Sequence, residues 1–378
     1  MEDSTLSNAP PPASTPTLGP LQLALISGTV GFGLFLTLGG ASQLLNASFG
    51  LWFTEIFIFV GIAWVLLRSG GYEPWSYSGL SAPQLAPSVL GFAMGVANFF
   101  ALVVPIQYVA QSLAPQWLRD MFDVSRVFES QSPLELGLML AGVSLAAPFC
   151  EEFFFRGLLQ KGLLSSRLSR TGAVLITSVV FSAFHLDPVG FVARVELGIL
   201  FGVLRLYTGS LWPAIFAHAA NNLVSSGIFL ALRDTAAAAS DAKPPLKVIL
   251  LVMAAGGLAL GLLVSLARAF PALWGPRQEP PTPVGPVPSP ARLLLPWVLG
   301  ATLSLVALVV VDMRGIRLNM VDLVQKLQKL PKDAPDGLHA ERAHLKQLRR
   351  EARSGRVPME AYEEELARQA QSHPKKSR

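Results

Sequence analysis

Cys150-Glu151-Glu152-Phe153-Phe154-Phe155-Arg156-Gly157 closes a long apolar run that begins near Leu136. Two carboxylates and a guanidinium do not sit there for packing reasons, because an ionised side chain in hydrocarbon costs about 2.5 kcal/mol or more even on the lenient insertion scale. On a helix Glu152 and Arg156 stand at i, i+4 and can pair, whereas Glu151 lies about 100° around the axis and has no cation four residues on. The pattern predicts one held acid, Glu152, and one free acid, Glu151.

Outward from that stretch the composition is that of a membrane protein. The chain has 378 residues, 51% of them hydrophobic and 15% charged, with a mean hydropathy of +0.46; a soluble domain carries roughly 25% charged residues. The expected fold class is all-α, a polytopic integral membrane bundle of about eight or nine transmembrane helices. Nine apolar segments approach the length needed to span the hydrocarbon core: Leu21 to Leu45, Leu51 to Leu67, Val89 to Ala110, Leu136 to Leu159, Ala173 to Leu186, Val189 to Tyr207, Leu211 to Leu232, Val248 to Phe270 and Leu293 to Val311. The fifth is short and ends on His185, which is acceptable only where protein or a water-filled cavity covers its polar end.

Around these spans the domain organisation follows from composition. Residues 1–20, polar and rich in Pro, Ser and Thr, form a leader expected to be disordered, with no positive n-region of a cleavable signal. Residues 21–270 make the bundle, 271–292 a Pro-rich linker, 293–312 one further transmembrane helix, and 313–378 a soluble, charged helical tail. Between the third and fourth spans, Ser112 to Glu135 predicts an amphipathic helix lying along the membrane. Gly91/Gly95, Gly198/Gly202 and Gly257/Gly261 each place small residues four apart, a pattern of close helix contact. The lone cysteine, Cys150, excludes an internal disulfide.

Charge has a topological explanation. The net +5 is more than accounted for by the tail, where 15 Lys/Arg face 9 Asp/Glu between Arg314 and Arg378, so no nucleic-acid partner is expected. The acid-free cluster Lys161, Arg167 and Arg170 marks the cytoplasmic side by the positive-inside rule. The tail then falls outside if all nine segments cross, while Arg314 and Arg317 at its junction argue for the inside; its side stays open.

Five histidines occur, and only His185 and His218 lie in apolar segments. His218 and Asn222 are i, i+4 and share a helix face, presenting two polarised N–H donors of the kind an oxyanion needs. His185 follows Phe181 by four residues, so that ring would help fix the imidazole, and His185 could help Glu151 hold a water. A base, a water-orienting group and oxyanion donors are what amide hydrolysis requires.

Glu151-Glu152-x-x-x-Arg156, Phe181-x-x-x-His185 and His218-x-x-x-Asn222, in that order on successive segments, resemble the CPBP family, the CaaX proteases and bacteriocin-processing enzymes also called the Abi family. The likeness covers about 136–226. It implies an intramembrane glutamic-type endopeptidase in which Glu151 is the general base activating water with His185, His218 and Asn222 stabilise the oxyanion, and Glu152, Arg156 and Phe181 support the site, with no cofactor. It implies a peptide or protein substrate, with or without a lipid modification, in contact with membrane lipids; oligomeric state is not indicated. The Ala-, Gly-, Pro- and Leu-rich composition points to a bacterial inner membrane. A zinc enzyme using Glu151, His185 and His218 as ligands is an alternative that keeps the reaction class. A transporter relaying protons through buried Glu and His, or a non-enzymatic immunity or scaffold protein, is an alternative from another class.

Overall fold

Helix boundaries in this protein follow from capping residues that the sequence supplies at each turn between spans. Asn46 ends the first long helix, α1 (Pro20–Leu45), and its side chain accepts from Phe49 N at 2.9 Å to start α2 (Ala47–Ser69). Ser132 and Glu135 form a reciprocal capping box with Pro133 in the first turn, opening α6 (Pro133–Leu164). Ser169 caps α7 (Arg170–Phe184), and Gly209 at φ 69° ends α8 (Phe191–Thr208). The computed structural model describes residues 18–80, 82–122, 132–232, 244–274, 289–327 and 338–372. Residues 1–17 of the expected leader and most of the Pro-rich linker lie outside those residues.

The remaining helices are α3 (Pro74–Ser78), α4 (Leu85–Leu113), α5 (Gln116–Met121), α9 (Trp212–Leu232), α10 (Leu246–Ala269), α11 (Pro290–Val311), α12 (Met313–Leu327), α13 (Leu338–Ser354) and α14 (Met359–Ser372). No strand occurs among the described residues. Among the described residues seven helices, α1, α2, α4, α6, α9, α10 and α11, are long and apolar enough to cross a membrane. The protein is therefore an integral membrane helical bundle. The other two expected spans differ: α7 is shorter, and α8 carries Arg194, Glu196 and Arg205. They pack on each other as a hairpin, joined by His185 to Gly190. Of the expected interfacial helix over Ser112 to Glu135, residues 112–122 and 132–135 are described, and they hold the end of α4, the short α5 and the start of α6.

Aromatic rings fill the centre. Phe153, Phe154, Phe155 and Leu158 are fully buried in one cluster with Phe59, Phe181, Phe184 and Phe201. The motif helix α6 is wide-turned, with i→i+5 bonding, over Gly142–Ala146 and again over Phe153–Gln160, and the acid pair sits on the ordinary turn between them. Such wide turns free backbone groups for side chains to use. Of the glycine pairs, Gly91 and Gly95 let α4 approach α9 so closely that a Cβ would stand 2.2 Å from Pro213 O and 2.3 Å from Ala217 O. Gly198 and Gly202 do the same for α8 against Ser178 and Gln160. Gly257 and Gly261 meet nothing within 4 Å; it is Gly256 that lies against Ala97 and Ala101, because the contact face of α10 is turned one residue away from the expected one.

The tail forms α12, α13 and α14, which pack on one another. Leu318, Ala352, Tyr362 and Leu366 bury a small core of their own between α12, α13 and α14. Arg353 then bridges Glu135 and Asp312, and Asn46 donates to the same two carboxylates at 3.2 and 2.7 Å. This docks the tail on the end of α6 where Glu135 lies. Lys161, near the other end of that 32-residue helix, donates to Tyr77 O. The tail and the Lys161–Arg170 loop therefore lie at opposite ends of the bundle.

Candidate active site

Pro148 shapes the neighbourhood of the acid pair before any of the acidic side chains do. It has no N–H, so the carbonyls one turn earlier lose their backbone donor. Val143 O, five residues back in the wide-turned stretch, instead accepts the Asn222 amide at 2.7 Å. A side chain of α9 thus completes the ladder of α6, and the two helices are pinned together where the motifs are. Asn221 in turn donates to Asn222 Oδ1 at 3.0 Å.

The held acid is held twice. Glu152 Oε1 accepts from Arg156 Nη1 at 2.9 Å, both side chains being 0% exposed, and also accepts from His218 Nδ1 at 3.0 Å. Arg156 donates further to Gly198 O at 3.1 Å and lies over the rings of Phe181 and Phe201, 4.5 and 5.2 Å from their centroids. One turn on, Gln160 donates to Gly202 O at 3.0 Å, so two side chains of α6 address two glycine carbonyls of α8 in the same i, i+4 register. Sequence reading found the Glu152–Arg156 pair. It missed Gln160, whose signal was its position four residues after Arg156.

His218 is stacked on Phe201, with centroids 4.7 Å apart and planes at 17°. A carboxylate can only accept, so the bond to Glu152 places a proton on Nδ1 and turns Nε2 toward Glu151 Oε2, 3.9 Å away. Glu151 is 8% exposed and its Oε2 has no hydrogen-bond partner among the described residues. The free acid expected from the sequence is free in the structure as well.

His185 closes α7, and its Nδ1 lies 3.0 Å from Phe181 O, a carbonyl that can only accept. Its Nε2 is thereby the nitrogen left for a water or substrate. The Phe181 ring links both imidazoles, with centroids 5.0 Å from His185 and 5.8 Å from His218. Beyond His185 the chain passes through Leu186 at φ 53°, an uncommon backbone for a branched residue. Asp187 holds the turn by accepting from Val189 N and Gly190 N, and pairs with Arg194 at 2.6 Å.

One part of the expected arrangement takes another form. His218 and Asn222 do share a face of α9, but each has a donor engaged, on Glu152 and on Val143 O. A buried carboxylate and an orphaned carbonyl take those donors, because leaving either unpaired costs about 1–3 kcal/mol or more. What remains is the second amide hydrogen of Asn222 and Nε2 of His218. For the zinc alternative, no three His, Cys, Asp or Glu side chains among the described residues group closely enough to hold a metal ion, and Glu151, His185 and His218 are no exception. A cavity of about 930 Å³ adjoins the site, lined by Asn221, Arg194 and Asp187 on one side and by Gln107, Tyr108 and Gln111 of α4 on another. Sequence reading also missed a part-buried pair: Asn98 donates to Glu196 at 2.9 Å and ties α4 to α8.

Residues 133–224 match the family model described as Rce1-like, type II CAAX prenyl endopeptidase. Over those residues the chain is similar to that family, which is consistent with a CPBP-family protease. The match begins at the capping turn of α6 and ends just after Asn222, so all three motifs lie inside it, and it supports an intramembrane endopeptidase acting on a peptide or protein. It covers well under half of the chain and does not reach α10 to α14. No curated protein and no solved structure matches the chain.

Proposed function

We propose that the protein is a glutamic-type intramembrane endopeptidase in which Glu151 is the general base. The observation that carries this reading is the Glu151 carboxyl itself: buried, with an unpartnered Oε2 3.9 Å from His218 Nε2, in a site where Arg156 and His218 both bond the other acid through its Oε1. A water held by Glu151 and His185 Nε2 gives its proton to Glu151 as its oxygen bonds to the substrate carbonyl carbon. The developing oxyanion meets the second N–H of Asn222 and Nε2 of His218. Since Nδ1 of His218 already donates to Glu152, Nε2 can stabilise the oxyanion only when it too carries a proton, and Glu151 is the neighbour that can supply it. Collapse of the intermediate breaks the C–N bond, and the proton taken from water passes to the leaving amine.

Glu152 and Arg156 do none of this chemistry in the proposal; they orient His218 and lock α6 to α8. No metal enters any step. The cavity beside Asn221 lies within the size range of ligand pockets, and its wall carries the amides of Gln107, Gln111 and Asn221, which suit the backbone of an extended segment. The test is Glu151→Gln in purified protein, followed with a fluorogenic peptide bearing a farnesylated cysteine and with its unlipidated twin. Cleavage should fall to background while the protein accumulates and melts as the native form does. Full activity of Glu151→Gln would remove Glu151 from the role of base.

A further inference from the structure

Glu55 is an intramembrane acid that none of the three motifs explains. It lies in the wide-turned stretch Thr54–Gly61 of α2, is 2% exposed, and its Oε2 has no hydrogen-bond partner among the described residues. Apolar packing would be better served there by leucine, since an unpartnered acid buried in hydrocarbon is costly.

Two contacts fix where that stretch faces. Trp52 Nε1 donates to Leu138 O at 3.0 Å, and the Phe59 ring packs against Phe154 and Phe155 at 5.3 and 5.6 Å. Helices α2 and α6 both start at the end where Asn46 bonds Glu135, so they run in the same direction. Glu55, a turn before Phe59, is therefore turned toward the residues a turn before Phe155, and Glu151 is four residues before it. The stretch Thr54–Gly61 that carries Glu55 packs on the turn Ala147–Glu152 that carries Glu151, and the charge of Glu151 acts on Glu55. The charged groups acting on Glu151 are His218, Glu152, Arg156 and Arg194. Arg156 is held by Glu152, Arg194 by Asp187, and His218 Nε2 stands 3.9 Å off, so none of them hydrogen-bonds the free oxygen.

We propose that Glu55 is a positioning residue of this site, a neutral carboxyl that donates a hydrogen bond to Glu151, directly or through one water, and holds its free oxygen toward the substrate. Two carboxyls side by side in an apolar site keep a proton between them, because both cannot ionise. The proton stays on Glu55 throughout. The proposal rests on the reading of Glu151 as the base.

The experiment compares native protein with Glu55→Leu and Glu55→Gln on the two fluorogenic peptides, with Glu151→Gln in parallel. Leucine removes the orphaned acid, so that variant should melt no lower than the native protein while its kcat falls about 10-fold or more, at a KM within about twofold. Glutamine keeps a donor and should bring kcat back to within about fivefold of native. A Glu55→Leu protein with native kcat overturns the proposal, and so does a folded Glu55→Gln protein with no cleavage; if Glu55→Leu does not accumulate, Glu55→Gln decides on the same terms. A second measurement needs no turnover: the rate at which dicyclohexylcarbodiimide labels Glu55, read by mass spectrometry, in native protein and in Glu151→Leu. A change of about threefold or more is expected when the partner is removed, and an unchanged rate overturns the contact. Activity surviving in Glu151→Gln would instead defeat the base assignment, and the labelling result would still report on Glu55.

Discussion

Replacing Arg156 with methionine tests whether the charged core of this bundle is held together as the structure shows. Methionine keeps most of the side-chain volume, so the loss falls on the polar contacts: the 2.9 Å bond to Glu152, the 3.1 Å bond to Gly198 O, and the positions over Phe181 and Phe201. Removing one member of a buried ion pair costs about 3–5 kcal/mol, because the other charge stays behind without compensation. Here Glu152 keeps one partner, His218 Nδ1, which argues for the lower half of that range, while the orphaned Gly198 carbonyl adds about 1 kcal/mol or more. A loss near 4 kcal/mol corresponds to a thermal midpoint lower by on the order of 10 °C. The assay is thermal unfolding of purified protein in one detergent, together with its yield from membranes. The double variant Arg156→Met with Glu152→Gln supplies the control: glutamine still offers an oxygen to His218, and removing both charges of a buried pair is often close to neutral. The double variant should therefore melt above Arg156→Met. If Arg156→Met alone melts with the native protein, the pair is not what locks α6 to α8, and the reasoning fails.

Further outcomes follow from the same contacts. Gly95→Ala would put a methyl against Ala217 O, next to His218; displacing α9 by about 1 Å should cost roughly 10²-fold in kcat, with little change in yield. Arg353→Glu sets a third acid against Glu135 and Asp312, so limited proteolysis should release the tail from this variant faster than from native protein, and equal rates would mean the bridge does not hold it. Purified protein should keep its activity after chelator treatment and show no stoichiometric zinc; activity lost with zinc and restored by it would assign the chemistry to a metal instead.

Much of the architecture was legible because membrane helices announce themselves locally. A run of apolar residues of sufficient length, a carboxylate four residues before an arginine, and a histidine four before an asparagine are all set by the pitch of a single helix. Those signals gave the all-helical membrane bundle, the pairing of Glu152 with Arg156, the separate status of Glu151 and the three motifs. The short α7 and the charged α8 were the segments where length and composition already strained the count of nine.

What the tertiary structure decided concerns which faces meet, and the pitch of one helix carries no information about that. Glu152 serves two helices because α9 brings His218 against it. Asn222 is engaged because Pro148, on another helix, left Val143 O without a donor. Gln160 found a glycine carbonyl, the Phe59–Phe155 contact set the Glu55 stretch of α2 against α6, and a tail expected to be charged and helical buried a core and reached Glu135 through Arg353. In each case the partner lies far away in sequence, and the physical reason is the same: buried polar groups must be satisfied by whatever the packing of helices puts within reach.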